Sequence, residues 1–198
     1  MPHKLPLKTI VLGLLIFFIG AGATFAQQIR IGVFNANVTP PIGSPVAYAP
    51  ARSIMDSLSA RGIVILSDEK PIVLCAVDWI GIANEGLEVW RQRLAAAANT
   101  SIDRVSVHAL HQHDGVHCDF TFASIMDEYG MGGFRFDTAF LYAAIQHVAD
   151  AVSIAAKNTQ PVTHLGFGQA KVDKVASNRR ILDEDGKVKI IRWSATTD

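Results

Sequence analysis

VSVHALHQHDGVHCD, residues 105–119, opens on alternating apolar side chains and closes on His108, His111, His113, His117, two aspartates and Cys118 within a dozen positions. Val105 and Val107 argue for a strand over residues 104–110. Continued alternation would place His111 and His113 on one face and His108 on the other. Immediately upstream, Leu87, Trp90, Leu94 and Ala98 recur at helical spacing, so residues 85–98 read as a helix with Asn84 as its cap. Before that helix lies IVLCAVDWI, residues 72–80, a β-branched apolar run. Strand, helix, strand makes a parallel crossover and an α/β fold, and the histidines fall at the carboxyl end of its second strand, where such sheets place their ligands.

Residues 61–66 and 72–80 flank Ser67-Asp68-Glu69-Lys70-Pro71, a turn composition, and are expected to form a hairpin. The second run is so continuously apolar that it reads as buried on both faces. Asp78 near its end then needs a hydrogen-bonding partner or a solvent-lined pocket. Residues 29–34 alternate as a first strand, and the four prolines of residues 37–50 exclude that stretch from a helix or a sheet centre.

Downstream, residues 114–133 read as a long loop whose Phe120, Phe122, Met126, Tyr129 and Met131 either line a pocket mouth or seal the core. Asp137 is placed to cap a helix to about Lys157, with His147 on its solvent side. Residues 162–172 read as a returning strand with Gly166 and Gly168 inside it. Asp183 to Gly186 marks a final hairpin between Ile181-Leu182 and residues 188–193. The expected architecture is a mixed β-sheet flanked by helices.

Eighteen basic residues balance eighteen acidic ones, with no basic stripe among aromatics, which excludes nucleic acid as a partner. Lys4 and Lys8, an apolar core from Ile10 to Ile19 and the Thr24-Phe25-Ala26 end give residues 1–26 the form of a secretory signal. Residues 27–198 then make one domain, secreted or periplasmic. In that compartment Cys75 and Cys118 are two unpaired thiols or one bridge, and Cys118 is also a candidate metal ligand.

A His-x-His pair at a strand end offers two imidazole nitrogens to one divalent ion such as Zn2+, with a third protein ligand still required. Asp114 and Asp119 are carboxylates of the kind that hold the second N–H of ligating histidines. Hydrogen-bonded histidines in a polar loop are the alternative.

Four landmarks in order resemble the N-terminal catalytic domain of the neutral/alkaline, non-lysosomal ceramidase family: GVFNANVTPPIGSP at residues 32–45, residues 60–78 ending in Val-Asp, LHQHDG at residues 110–115, and Ser177-Asn178-Arg179-Arg180. The resemblance implies an exported zinc-dependent amidohydrolase that cleaves the amide of N-acyl sphingoid lipids, with possible membrane-surface association. It implies that His111 ligates zinc, that His113 lines the reaction centre, and that Arg179 with Asn178 contacts the substrate; Asp114, next to His113, is a further catalytic candidate. Gln112 and Asp114 replace the hydroxyl residues usual in that motif, which opens an alternative polar amide or ester as substrate. The family's other zinc ligands and its serine match nothing in this chain and are expected downstream of Asp198, so the chain reads as the incomplete N-terminal part of a larger zinc-hydrolase domain, inactive alone. A non-catalytic exported module is the remaining reading.

Overall fold

The computed structural model of the chain describes residues 28–173 and 178–192; the expected leader at residues 1–26, Ser177 and Trp193 lie outside them. The chain divides into two units at Thr163/His164, each considered by itself. In the first, β1 (Arg30–Asn37), β2 (Ser59–Leu66) and β3 (Ile72–Val77) pair antiparallel, confirming the hairpin. Helix α1 (Asn84–Ala97) follows the short strand β4 (Gly81–Ile82) and crosses over to β5 (Val105–Ala109), which pairs parallel with β3. Gln160–Pro161, β7, adds a two-residue edge on β1, giving the order β5-β3-β2-β1-β7. The sheet is mixed and the crossover is the one expected.

Between β5 and β7 lie β6 (His117–Cys118), paired parallel with β4, and helices α2 (Phe120–Glu128) and α3 (Thr138–Lys157). The expected loop at residues 114–133 therefore contains a helix. Asp119 explains it: its Oδ1 accepts from the Phe122 backbone N–H at 3.0 Å, so the chain enters α2 with one of its orphan donors satisfied. Phe120 and Ala123 turn inward from α2, while Phe122 and Tyr129 stay in solvent, so the aromatic stretch is split between core and surface. Asp137 caps α3 as expected, accepting from the Phe140 N–H at 3.0 Å, and His147 is exposed.

The core lies on one face of the sheet. Leu141, Ile145, Val148 and Val152 of α3 and Trp90 and Leu94 of α1 bury against Phe34, Val64, Val73 and Val77. Gly32 is required there, because a Cβ would stand 2.0 Å from the Ala155 carbonyl oxygen of α3. β3 is interior in strand order yet alternates in burial, with Ile72 and Leu74 exposed. The expectation of two buried faces fails because both helices pack on the same side.

Asn84 is not the cap of α1. Ala83 holds that position without a side-chain bond, and Asn84 takes a positive φ of 47° as the first helical residue while its Nδ2 donates to Asp119 Oδ2 at 2.6 Å. Two elements compete for that amide, and the Asp119 carboxylate takes it.

In the second unit, β8 (Arg180–Leu182) and β9 (Val188–Ile191) form the expected hairpin, with Gly186 at a φ of 76° in its turn. The strand expected over residues 162–172 is absent: the ladder to β1 closes with Val162 N–H donating to the Ile29 carbonyl at 2.8 Å, and residues 164–173 are not strand. An alternating pattern gives a strand only where another strand accepts its hydrogen bonds.

Candidate functional site

The site is built where β3 and β5 end side by side. Leu110 N–H donates to the Val77 carbonyl at 2.9 Å, the last bond in the direction of the ladder. His111 then turns to a φ of 61°, in the left-handed region that costs a branched residue most and histidine less. Two bonds hold it there: its N–H donates to the Trp79 carbonyl at 3.1 Å, and its Nδ1 lies 2.7 Å from the Ile80 carbonyl oxygen. A carbonyl only accepts, so Nδ1 carries the proton and the Nε2 lone pair is left for a ligand.

Strand alternation is therefore not what brings the two histidines together. β5 ends at Ala109, and the turn at His111 sets its ring 5.0 Å from that of His113, the planes at 82°. Both residues are exposed. His113 is held by a group the sequence did not point to, Tyr48 of the proline-rich loop, whose hydroxyl lies 2.7 Å from His113 Nδ1. The rings of Tyr48 and His113 also meet edge to face at 5.6 Å.

The turn beyond is fixed by Gln112, whose Nε2 donates to the Asp78 carbonyl and whose Oε1 accepts from the Asp114 N–H at 2.7 Å. Gly115 must be glycine, since a Cβ would sit 2.7 Å from Gln112 Nε2 and 2.9 Å from the Asp78 carbonyl oxygen. Asp78 itself is structural: Oδ2 accepts from the Ser59 N–H at 2.8 Å and the Ser59 hydroxyl at 2.7 Å, pinning β2 to the end of β3. Trp79, wholly buried, donates from Nε1 to the Val38 carbonyl at 3.1 Å and packs edge to face on Trp90 at 5.4 Å.

His117 is a third imidazole that the sequence stretch contained but did not single out. Arg135 donates to its Nε2 at 3.1 Å, so its proton sits on Nδ1. Burial first, then the guanidinium of Arg135 and the ring of His111, push its pKa below the ordinary 6.5, against a smaller opposite pull from Asp119. Its signal was positional: Val116 and Cys118 on either side are buried, which aims His117 to the other face of β6.

Cys75 and Cys118 are both buried and unbridged, and burial pushes each thiol up to about 12. Burial therefore holds the Cys118 side chain as a protonated thiol. Among the described residues no group of three His, Cys, Asp or Glu side chains is placed to hold a metal ion. This part of the chain fits one donor of a zinc centre, His111 Nε2, and does not complete one. Of the substrate residues read from the sequence, Asn178 and Arg179 belong to the second unit, where Asn178 Oδ1 accepts from the Arg180 N–H at 3.0 Å and Arg179 is exposed.

No protein-family model and no curated protein matches the chain. Among solved structures it is similar to neutral ceramidase from Pseudomonas aeruginosa, with a TM-score of 0.52 and 19% identity over 69% of this chain and 22% of that one. A ceramidase complexed with C2 is similar with a TM-score of 0.49 and 18% identity over the same shares. The chain shares its fold with the first of these and spans about a fifth of its length.

Proposed function

We propose that the chain is the opening part of an exported, ceramidase-like zinc amidohydrolase that cleaves the amide bond of N-acyl sphingoid lipids. One observation carries the reading: on a sheet shared with a neutral ceramidase, the Ile80 carbonyl fixes the tautomer of His111 and leaves Nε2 free beside His113. Zinc held by His111 together with donors from beyond the described residues would supply Lewis acidity toward an amide carbonyl. The chain's own contribution is to orient. His111 presents a lone pair, and His113, steadied by Tyr48, keeps Nε2 for a proton or a hydrogen bond at the scissile amide. Asp114, exposed at the same turn, faces the polar end of the substrate, and Arg179 with Asn178 contacts it in the complete enzyme. Export, and work at a membrane surface where such lipids reside, belong to the same proposal.

The test is metal analysis of the polypeptide extended to its full donor set, with and without His111→Ala. Bound zinc falls at least about tenfold in the variant, the usual effect of disturbing a site's coordination. Zinc retained at the native level would overturn the assignment of His111. Asp114 favours a second reading, a more polar amide or an ester as substrate. A panel of N-acyl sphingosines and water-soluble amides separates the two by which class is turned over.

A further inference from the structure

The five-stranded sheet ends differently at its two edges. At one, β7 is two residues long and carries Pro161, which has no N–H to donate, so that edge is guarded. At the other lies β5, VSVHA, five residues in unbroken register with β3 and without proline, lysine or bulge. The Leu110 N–H bonded to the Val77 carbonyl places the ladder to β3 on the even positions. Val105, Val107 and Ala109 therefore turn their peptide groups outward. The Arg91 guanidinium covers one of these groups, donating to the Val105 carbonyl at 3.2 Å. The outward N–H and C=O of Val107 and Ala109 bond to no described residue. Ser106 and His108 alternate with them, exposed on the side of the sheet shared with Leu74.

We propose that β5 is a dimerisation edge, pairing antiparallel with β5 of a second copy across a two-fold axis at Val107. Register singles out that axis. Outward peptide groups must meet outward peptide groups, and centring on Val107 achieves this along the whole strand. Val107 meets its own counterpart and Val105 meets the partner's Ala109, each pair exchanging two hydrogen bonds. An axis at His108 would set Val105 against His111, which has left the strand at its φ of 61°. An axis at Ser106 would set Ala109 against Asp103, in the 3-10 turn before β5. The Val107 register also places Ser106 opposite the partner's His108, Cβ atoms about 4.5–5.5 Å apart, within reach of a hydroxyl–imidazole hydrogen bond. The two-fold repeats that polar pair, so the edge is complementary to itself, as a closed dimer requires. A ladder this short buries less than the roughly 1,200 Å2 of a stable complex, so the expected dissociation constant is weak, about 100 µM.

Sedimentation equilibrium of the 198-residue chain tests this, joined to amide hydrogen exchange at the lowest and highest concentrations. Over roughly 10–500 µM the chain passes from monomer to dimer, and the Val107 and Ala109 amides gain protection as the dimer fills. Ser106→Lys with His108→Lys sets like charges opposite each other and weakens the dimer at least about tenfold. Ser106→Lys with His108→Glu sets opposite charges there and restores it to within about threefold of native. All these side chains are exposed, and a circular-dichroism melt of each variant establishes that it is folded. A chain that stays monomeric to about 500 µM overturns the proposal. So does protection of Val107 and Ala109 that is independent of concentration, which would mean that the edge is covered within one chain. A dimer lost in Val33→Lys with Leu74→Lys but indifferent to both β5 variants overturns it as well, moving the contact to the open face.

Discussion

Only one ring nitrogen of His111 is offered to a ligand, because the Ile80 carbonyl occupies the other. His117 is held the opposite way round, with Nε2 occupied by Arg135, and burial first and then that guanidinium disfavour its charged form. A folded-state pKa below 6.5 means that the unfolded chain binds the His117 proton first as pH falls. Stability contributed by neutral His117 is therefore complete above about pH 6.5 and declines as pH drops from there toward the depressed folded value. Urea unfolding between pH 5 and 8 should show His117→Gln with a shallower acid slope than the native chain, and identical slopes would refute this. The closeness of His111 and His113 was legible because only one residue separates them. The roles of Tyr48 and His117 were not, since Tyr48 arrives from a loop 65 positions away and no local pattern encodes that meeting.

Helix α3 is anchored twice by one carboxylate: Asp137 Oδ1 accepts from the Phe140 N–H, and Oδ2 accepts from the Ser44 hydroxyl at 3.0 Å. Asp137→Ala should cost about 1–2 kcal/mol in chemical denaturation, with Asp137→Asn closer to the native value. A loss under about 0.3 kcal/mol would show that packing alone holds the helix start. α3 was legible because an aspartate precedes a sustained apolar stripe, and α1 because Leu87, Trp90 and Leu94 repeat at its period. Helix α2 hid behind nearby glycines, its capping aspartate Asp119 sitting in a string that read as site chemistry. The strand at residues 162–172 was a false reading of the same kind in reverse, a good local pattern that does not continue as strand beyond the bond at Val162.

Across the whole first unit the helices cover one side of the sheet, and the other presents Val33 at 74% exposure and Leu74 at 42%, with Ile63 paired between them. Such a surface favours self-association. Val33→Lys combined with Leu74→Lys should lower concentration-dependent light scattering while leaving the urea midpoint within about 0.5 kcal/mol of native, as surface substitutions generally do. Unchanged scattering would place the sticky region elsewhere. The parallel β3–β5 pairing was readable from the run of elements, but which side the helices choose is settled only by three-dimensional packing. Trp79 joins these levels, its indole wedged in the interior while its own carbonyl grips the His111 amide. Heat that frees the ring must slacken the grip, so the imidazole proton resonances and the near-ultraviolet signal of the tryptophans ought to vanish at a common temperature.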